Sequence, residues 1–383
     1  MADLDRILPL WRELQSAAAD YVLATVVAVE GSSYRRPGAC MLLAPDGRRA
    51  GTVSGGCLEG EVARRAWWLT EKGPTVHRYS TAEEDGERPY GSGCGGVIWL
   101  LLERRSTAAP LLHAFDQPFH RRTALAVATI LEGEHMARRA FAGLEPAADL
   151  LPALGPLQQL AQQTLESRVS IDEKIAVQGT QTRVWTYFRP ARTGLWIFGA
   201  GDDAQPLLRL AKELGWFVTI ADGRSHLVTR DRFPLADELH ILPVQDLPLN
   251  PASVPTPALA QLRPHDAVVL MTHSFEQDSR VLASLFAASE QPAYIGVLGP
   301  QRRTRELLVE AAQLLRLPAC PLSSGPQIER WLQQLHAPTG LDLGAESPET
   351  VALSILAEIL KFFNAATALP LRQVRATSQA ATR

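Results

Sequence analysis

Leu195-Trp-Ile-Phe-Gly-Ala-Gly-Asp-Asp-Ala204, with Phe217-Val-Thr-Ile-Ala-Asp222 after it, decides the fold class. Leu195 to Phe198 is a continuous apolar run, as expected for a parallel strand covered on both faces. Gly199 and Gly201 permit a tight turn with no Cβ in a ligand's way, and Ala204 still allows close helix–strand packing. Pro206 suits only the first turn of a helix, where a missing N–H is no loss. The helix then runs through Leu207, Leu208, Leu210, Ala211 and Leu214 to a Gly215 cap. Asp222 ends the second strand about twenty residues past the glycines, where dinucleotide folds place the acid that bonds a ribose hydroxyl. Asp202 and Asp203 run against a bound diphosphate; as N-cap and first-turn acids they complement the helix dipole. A packing turn that binds nothing is the purely structural alternative.

The same rhythm continues to the C-terminus and predicts a Rossmann-like, doubly wound parallel sheet over 191–383. Strands are expected at Leu239–Val244, His265–Thr272 and Ala293–Leu298, with helices through Val281–Phe286 and Arg303–Leu315 and a proline-rich connection over Pro251–Pro264. Ser347-Pro-Glu opens the last helix with an N-cap, an N1 proline and a first-turn acid. Its stripe of Val351, Ile355, Leu356, Ile359 and Phe363 faces the core.

Residues 1–190 read as a separate α/β domain, with Pro190–Gly194 as the boundary. An amphipathic first helix precedes a β segment at Tyr21–Val29. Gly31-Ser-Ser-Tyr-Arg-Arg-Pro-Gly38 is a loop, Ala39–Leu43 a strand, and Asp46-Gly47 a hairpin turn. Gly51-Thr-Val-Ser-Gly-Gly-Cys-Leu-Glu-Gly60 leads into a helix over about 61–72, and Tyr90-Gly-Ser-Gly-Cys-Gly-Gly96 leads into a buried strand. Between Arg104 and Pro190 the pattern is weaker: a strand at Leu125–Leu131, a helix at Leu157–Glu166, and a strand at Val184–Phe188 that returns to the first domain's sheet.

Composition bounds the function. The 383 residues carry 38 Lys and Arg against 41 Asp and Glu, a net charge of −3, so neither nucleic acid nor an anionic membrane is implied as partner. No apolar run approaches the roughly 20 residues of a membrane helix, and the charged first helix is no signal peptide, so a cytoplasmic protein is expected. The four cysteines, Cys40, Cys57, Cys94 and Cys320, form no C-x-x-C pair and read as free thiols.

Cys57 follows Ser54-Gly55-Gly56 at a helix start, where free N–H groups and the dipole suit a thiolate. Cys94 lies between Gly93 and Gly95-Gly96, equally uncovered. Two thiols in glycine-stripped loops suit soft-metal or sulfur chemistry; small residues filling turns is the bland alternative. His273 and Asp278 follow a parallel strand on the sheet edge where ligands bind, as acid–base or phosphate contact and its orienter, or simply as helix caps. Gly299 with Arg302 and Arg303 before a helix offers an anion site, or an exposed basic loop. Arg35 and Arg36 offer a weaker second clamp. Trp67 and Trp68 cannot share one helix face, which raises the expectation of a domain interface or a homodimer.

The ordered set A-T-V-V-A-V-E-G-S-S-Y-R-R-P-G-A, V-S-G-G-C-L-E-G, G-C-G-G, F-G-A-G, M-T-H-S-F-E-Q-D, I-G-V-L-G and G-L-D-L-G-A-E-S-P-E-T-V-A-L-S-I-L-A-E-I, from Ala24 to Ile359, resembles the XdhC/CoxI family. The resemblance implies an accessory protein that binds molybdenum cofactor (molybdopterin) as cargo, protects it during sulfuration and inserts it into a molybdenum hydroxylase apo-enzyme. A cysteine desulfurase would be a second partner. Carried over by motif, it implies cofactor contacts at Gly55, Gly56, Cys57, Cys94, Gly95, Gly199, Gly201, His273 and Asp278, to which the residues' own pattern adds Asp222, Gly299 and Arg302; Cys57 or Cys94 is expected nearest the metal. Two departures, Asp202 where many members carry histidine and Pro300 where many carry serine, leave open which group touches the ligand. The rival readings are an NAD(P)-dependent oxidoreductase using the Gly199 turn, which lacks a tyrosine–lysine hydride-transfer pair, and a nucleotidyl transferase, which lacks a P-loop.

Overall fold

The computed structural model describes residues 2–80, 96–144, 155–177, 179–247, 249, 259–317 and 325–374. The chain forms two compact units, Met1–Arg192 and Thr193–Arg383. Among the described residues no helix is long and apolar enough to cross a membrane.

In the first unit α1 (Ala2–Ser16) precedes β1 (Val22–Glu30), β2 (Cys40–Leu43), β3 (Arg49–Gly51), α2 (Glu59–Leu69), β4 (Thr75–Ser80) and β5 (Val97–Arg104). These strands make one antiparallel sheet of order β3-β2-β1-β5-β4. The period-2 alternation of β1 sets its two faces. Tyr21 and Leu23 pack with Leu4, Ile7, Leu8 and Trp11 of α1. Val22, Ala24 and Val26 pack with Val62 and Ala66 of α2. Trp67 joins that second cluster while Trp68, next to it, is 67% exposed.

The chain goes on through α3 (Arg105–Arg121), β6 (Leu125–Ile130), β7 (Arg139–Ala142), α4 (Gly155–Ser167), β8 (Asp172–Val177) and β9 (Thr180–Arg189). Here the expected return of Val184–Phe188 to the first sheet is corrected: β9 pairs with β6 and β8 in a second antiparallel sheet, β7-β6-β9-β8. Val184 of β9 is buried with Ala126, Ala128 and Ile130 of β6 and Leu157 and Leu160 of α4, a core that this later segment builds for itself. Arg139 of β7 reaches Glu103 of β5 in a bidentate pair, both side chains almost fully buried, which ties the two sheets together.

The second unit is built from β10 (Gly194–Phe198), α5 (Ala204–Glu213), β11 (Phe217–Asp222), β12 (Glu238–Ile241), β13 (Ala267–Leu270), α6 (Phe275–Ala287), β14 (Tyr294–Val297), α7 (Gln301–Leu314), α8 (Pro326–Gln334) and α9 (Pro348–Phe363). All five strands are parallel, in the order β12-β11-β10-β13-β14. Leu195 and Ile197 face the core shared with α5 and α9, whereas Trp196 and Phe198 face α6, α7 and α8. A strand covered on both sides must be apolar at every position, which is how the opening stretch reads. Ser347 caps α9 in a capping box with Thr350. The order reverses between β10 and β13, so the ligand crevice of such a sheet lies beyond their C-terminal ends.

Candidate functional site

The first group of candidate residues lies on the loop entering α2. Gly56 has a φ of +112°, a conformation that favours glycine, and it turns Cys57 outward to an exposed position. The N–H groups expected to face the thiol are otherwise engaged. Gly56 and Leu58 donate to Ser54 Oγ at 3.2 and 3.1 Å, and Cys57 Sγ itself donates to that oxygen at 3.6 Å. Ser54 in turn donates to Glu59, at 2.5 Å from Oγ and 2.8 Å from N, and Val53 N–H adds a third bond at 3.2 Å. Burial pushes the Glu59 carboxyl up, but these donors win and hold it below the usual carboxylate range. Glu59 is therefore the anion that the helix start stabilises, and Cys57 is an exposed thiol on a loop fixed from beneath. The clue to this was an acid in the first turn directly after a Ser-Gly-Gly-Cys run.

The arginine-bearing loop adjoins this one. Gly55 lies against the Tyr34 ring, at ordinary contact distance for an added Cβ (3.4 Å), and Arg35 Nε donates to the Thr52 carbonyl at 3.2 Å. At Gly96 a side chain would strike the Ser32 backbone. Cys94 and Gly95, with Cys320, lie outside the described residues. Among the described residues no three His, Cys, Asp or Glu side chains gather as a metal site.

In the second unit the glycine turn does what its position demands. Gly199 has a φ of +131°, and a Cβ there would fall against the Met271 carbonyl, so this glycine allows β10 and β13 to approach at their ends. A Cβ on Gly201 would crowd Asp203 Oδ1, at 2.6 Å. Asp203 occupies the N-cap of α5 but makes no side-chain cap bond. Its carboxylate pairs with His273 Nε2 at 2.7 Å, and Asp202 pairs with Arg232 at 2.9 Å. The expected capping role of these two acids is thus replaced by a hydrogen bond with His273 and an ion pair with Arg232. The pair formed by Asp203 sits at the crevice itself.

Asp222 is corrected as well. It is fully buried, accepting from Ala200 N–H at 2.8 Å and from the backbone and guanidinium of Arg224 at 2.8–3.0 Å. Burial raises its pKa, but the Arg224 and Ala200 donors outweigh that and leave the carboxyl below its ordinary range. It braces the glycine turn and has no oxygen to offer a ribose. Asp278, expected to orient His273, is also fully buried: it accepts from Thr272 Oγ1 at 2.6 Å and from Arg303 at 2.7 Å. Arg303, and not Arg302, is the arginine drawn inward. Arg302 is 90% exposed and pairs with Glu306 one turn on. Gly299, with a φ of +117°, meets only the Arg303 side chain.

What remains open at this edge is a cleft of about 560 Å³ lined by His273, Arg224, Thr272, Ser274 and Gln277. His273 is 65% exposed, with a φ of 60° that turns its ring outward from the strand end, and Arg224 reaches across to the Thr272 carbonyl at 3.2 Å. A cation and an imidazole at the rim can take an anionic or hydrogen-bonding ligand. Arg224 escaped the sequence reading, although an arginine two residues past a strand-ending acid marks it.

Comparison with known proteins adds the following. Residues 195–359 match the model described as the XdhC Rossmann domain, and residues 14–80 the model of the XdhC and CoxI family. A Bacillus subtilis relative, named as a probable xanthine dehydrogenase subunit, is 32% identical, over 89% of this chain and 92% of its own length. The Escherichia coli molybdenum cofactor insertion chaperone PaoD is 29% identical, over 88% of this chain and 82% of its own. A crystal structure described as a xanthine dehydrogenase from Bacillus halodurans superposes with a TM-score of 0.68 at 28% identity, covering 94% of this chain and 96% of that one.

Proposed function

This chain belongs to the XdhC and CoxI family, and from that premise we propose that it binds molybdenum cofactor as cargo and inserts it into a xanthine dehydrogenase-like apo-enzyme. Likeness along nearly the whole chain to an insertion chaperone carries the reading. The site is in keeping with it. The cofactor is an anion that brings its own dithiolene ligands to the metal, so a carrier can hold it with one approachable soft donor and a set of polar contacts. Cys57 offers the donor on a loop fixed by Ser54 and Glu59. Arg224 and His273 offer polar contacts at the sheet edge of the second unit.

In this proposal Cys57 holds the cargo, or the sulfur donor, without turnover by the chain itself, and shelters it while a cysteine desulfurase supplies sulfur. The crevice is poorly suited to NAD(P), because Asp203 stands at the helix start where a diphosphate would sit and Asp222 is closed to a ribose. The test is anaerobic incubation with free cofactor, then gel filtration with molybdenum and oxidised-pterin assays. Near-stoichiometric co-elution of both is expected. Retention of NAD(H) with neither molybdenum nor pterin would overturn the proposal.

A further inference from the structure

The first unit carries a pocket of about 260 Å³ that does not involve Cys57. Arg35, Arg36 and Arg189 line it, opposed by the single carboxylate of Asp3. Asp3 is engaged by Arg35, so two guanidinium charges are left uncompensated. Arg36 is exposed; its carbonyl accepts from Ala39 N–H, and its guanidinium has no hydrogen-bond or ion-pair partner among the described residues. Arg189, the last residue of β9, is only 8% exposed; its Nη2 is buried with no acceptor, and its face lies over the Phe115 ring at 5.0 Å.

A guanidinium stays charged at any working pH, and a buried N–H without an acceptor is costly, so this arrangement calls for an anion. The other polar groups of the pocket do not provide one. Burial pushes the Cys40 thiol and the Tyr187 phenol upward, which keeps both neutral. Pockets for whole drug-sized ligands run to about 300–1,000 Å³; this one fits an anionic head group, with the remainder of the ligand outside. Tyr34 lines the pocket and also contacts Gly55, so the opening borders the Cys57 loop.

We infer that this pocket binds the phosphate end of a small phosphomonoester ligand, with Arg189 as its buried anchor and Arg36 as the cation at its mouth. The proposed function bears only on which phosphomonoester this is, and in that reading it is the phosphate of the cofactor.

Titration calorimetry of the full chain with inorganic phosphate tests it. Saturable binding that weakens with added chloride is expected, with affinity falling about tenfold or more in Arg36→Glu and in Arg189→Gln. Arg36 is exposed, so its variant reports even if Arg189→Gln does not fold. No binding by the wild type, or equal affinity in Arg36→Glu, overturns the inference. So does full affinity in a folded Arg189→Gln. A wild type that retains molybdenum cofactor but not phosphate refutes the pocket and leaves the function standing; one that binds phosphate but no cofactor does the reverse.

Discussion

His273 Nε2 lies 2.7 Å from Asp203 Oδ2, joining the loops after β10 and β13 across the point where strand order reverses. Because the imidazole is largely exposed, the pair contributes at most about 1 kcal/mol. Asp203→Ala is therefore expected to lower the melting temperature of its unit by no more than about 4 °C in calorimetry. His273→Ala should do likewise, yet weaken cofactor retention on gel filtration by about tenfold, as befits a side chain at the rim of a ligand cleft. Equal retention would remove His273 from the site.

Asp278 and Arg302 should behave oppositely. Removing Asp278 strands Arg303 and Thr272, and Asp278→Ala is expected to cost about 3–5 kcal/mol in urea unfolding. Arg302→Ala, on an exposed helix face, should stay within about 0.5 kcal/mol of wild type. A harmless Asp278→Ala would mean that the inward pair does not hold this edge.

Acid should loosen the thiol loop before it unfolds the chain. The Glu59 carboxyl titrates below its ordinary value of 4.5 when folded, so its stabilisation is complete above that pH and is lost as pH falls through the depressed folded value. Hydrogen-exchange protection factors at Val53 and Ser54, taken relative to the intrinsic rate at each pH, should fall in that window. Glu59→Gln should abolish the dependence and cost about 1–3 kcal/mol at neutral pH. Protection factors independent of pH in the wild type would contradict the assignment.

Thiol chemistry distinguishes the two described cysteines. Cys57 is exposed and Cys40 buried, with burial pushing its thiol up. Brief iodoacetamide treatment of the native chain, read by peptide mass spectrometry, should modify Cys57 at least about tenfold faster than Cys40. Comparable rates would show that the Cys57 loop is not open.

Gly199→Ala is expected to destabilise by about 2–4 kcal/mol, because it adds both a forbidden φ and a clash with the Met271 carbonyl. Gly56→Ala meets open space and should suffer only the conformational cost of about 1–3 kcal/mol. Equal losses in denaturant titrations would deny the close approach of β10 and β13.

Much of this architecture can be read from local chemistry. The run Leu195–Phe198 needs apolar residues on both faces, and Ser347-Pro-Glu can hardly be anything but a helix start. Other elements depend on information no local stretch contains. Pro110 and Pro118 argue against α3, yet it forms because Ala108, Leu111, Leu112, Phe115 and Phe119 bury one face. The partner of β9 is set by the distant core that β6 and α4 build around Val184. At the site, Arg302 and Arg303 are indistinguishable neighbours until the turn of α7 points one to Asp278 and the other to solvent. Asp203 reads as a cap because its true partner lies 70 positions away.

The contact of Tyr34 with Gly55 and the bond from Arg35 to the Thr52 carbonyl join the arginine-bearing loop to the thiol-bearing one. A displacement of either loop therefore meets the other directly. If an anion at the arginines changes the affinity of a ligand at Cys57 by some factor, linkage requires that ligand to change the affinity of the anion by the same factor. In that event occupancy of one loop would be read at the other through Tyr34 and Arg35, without any change elsewhere in the unit.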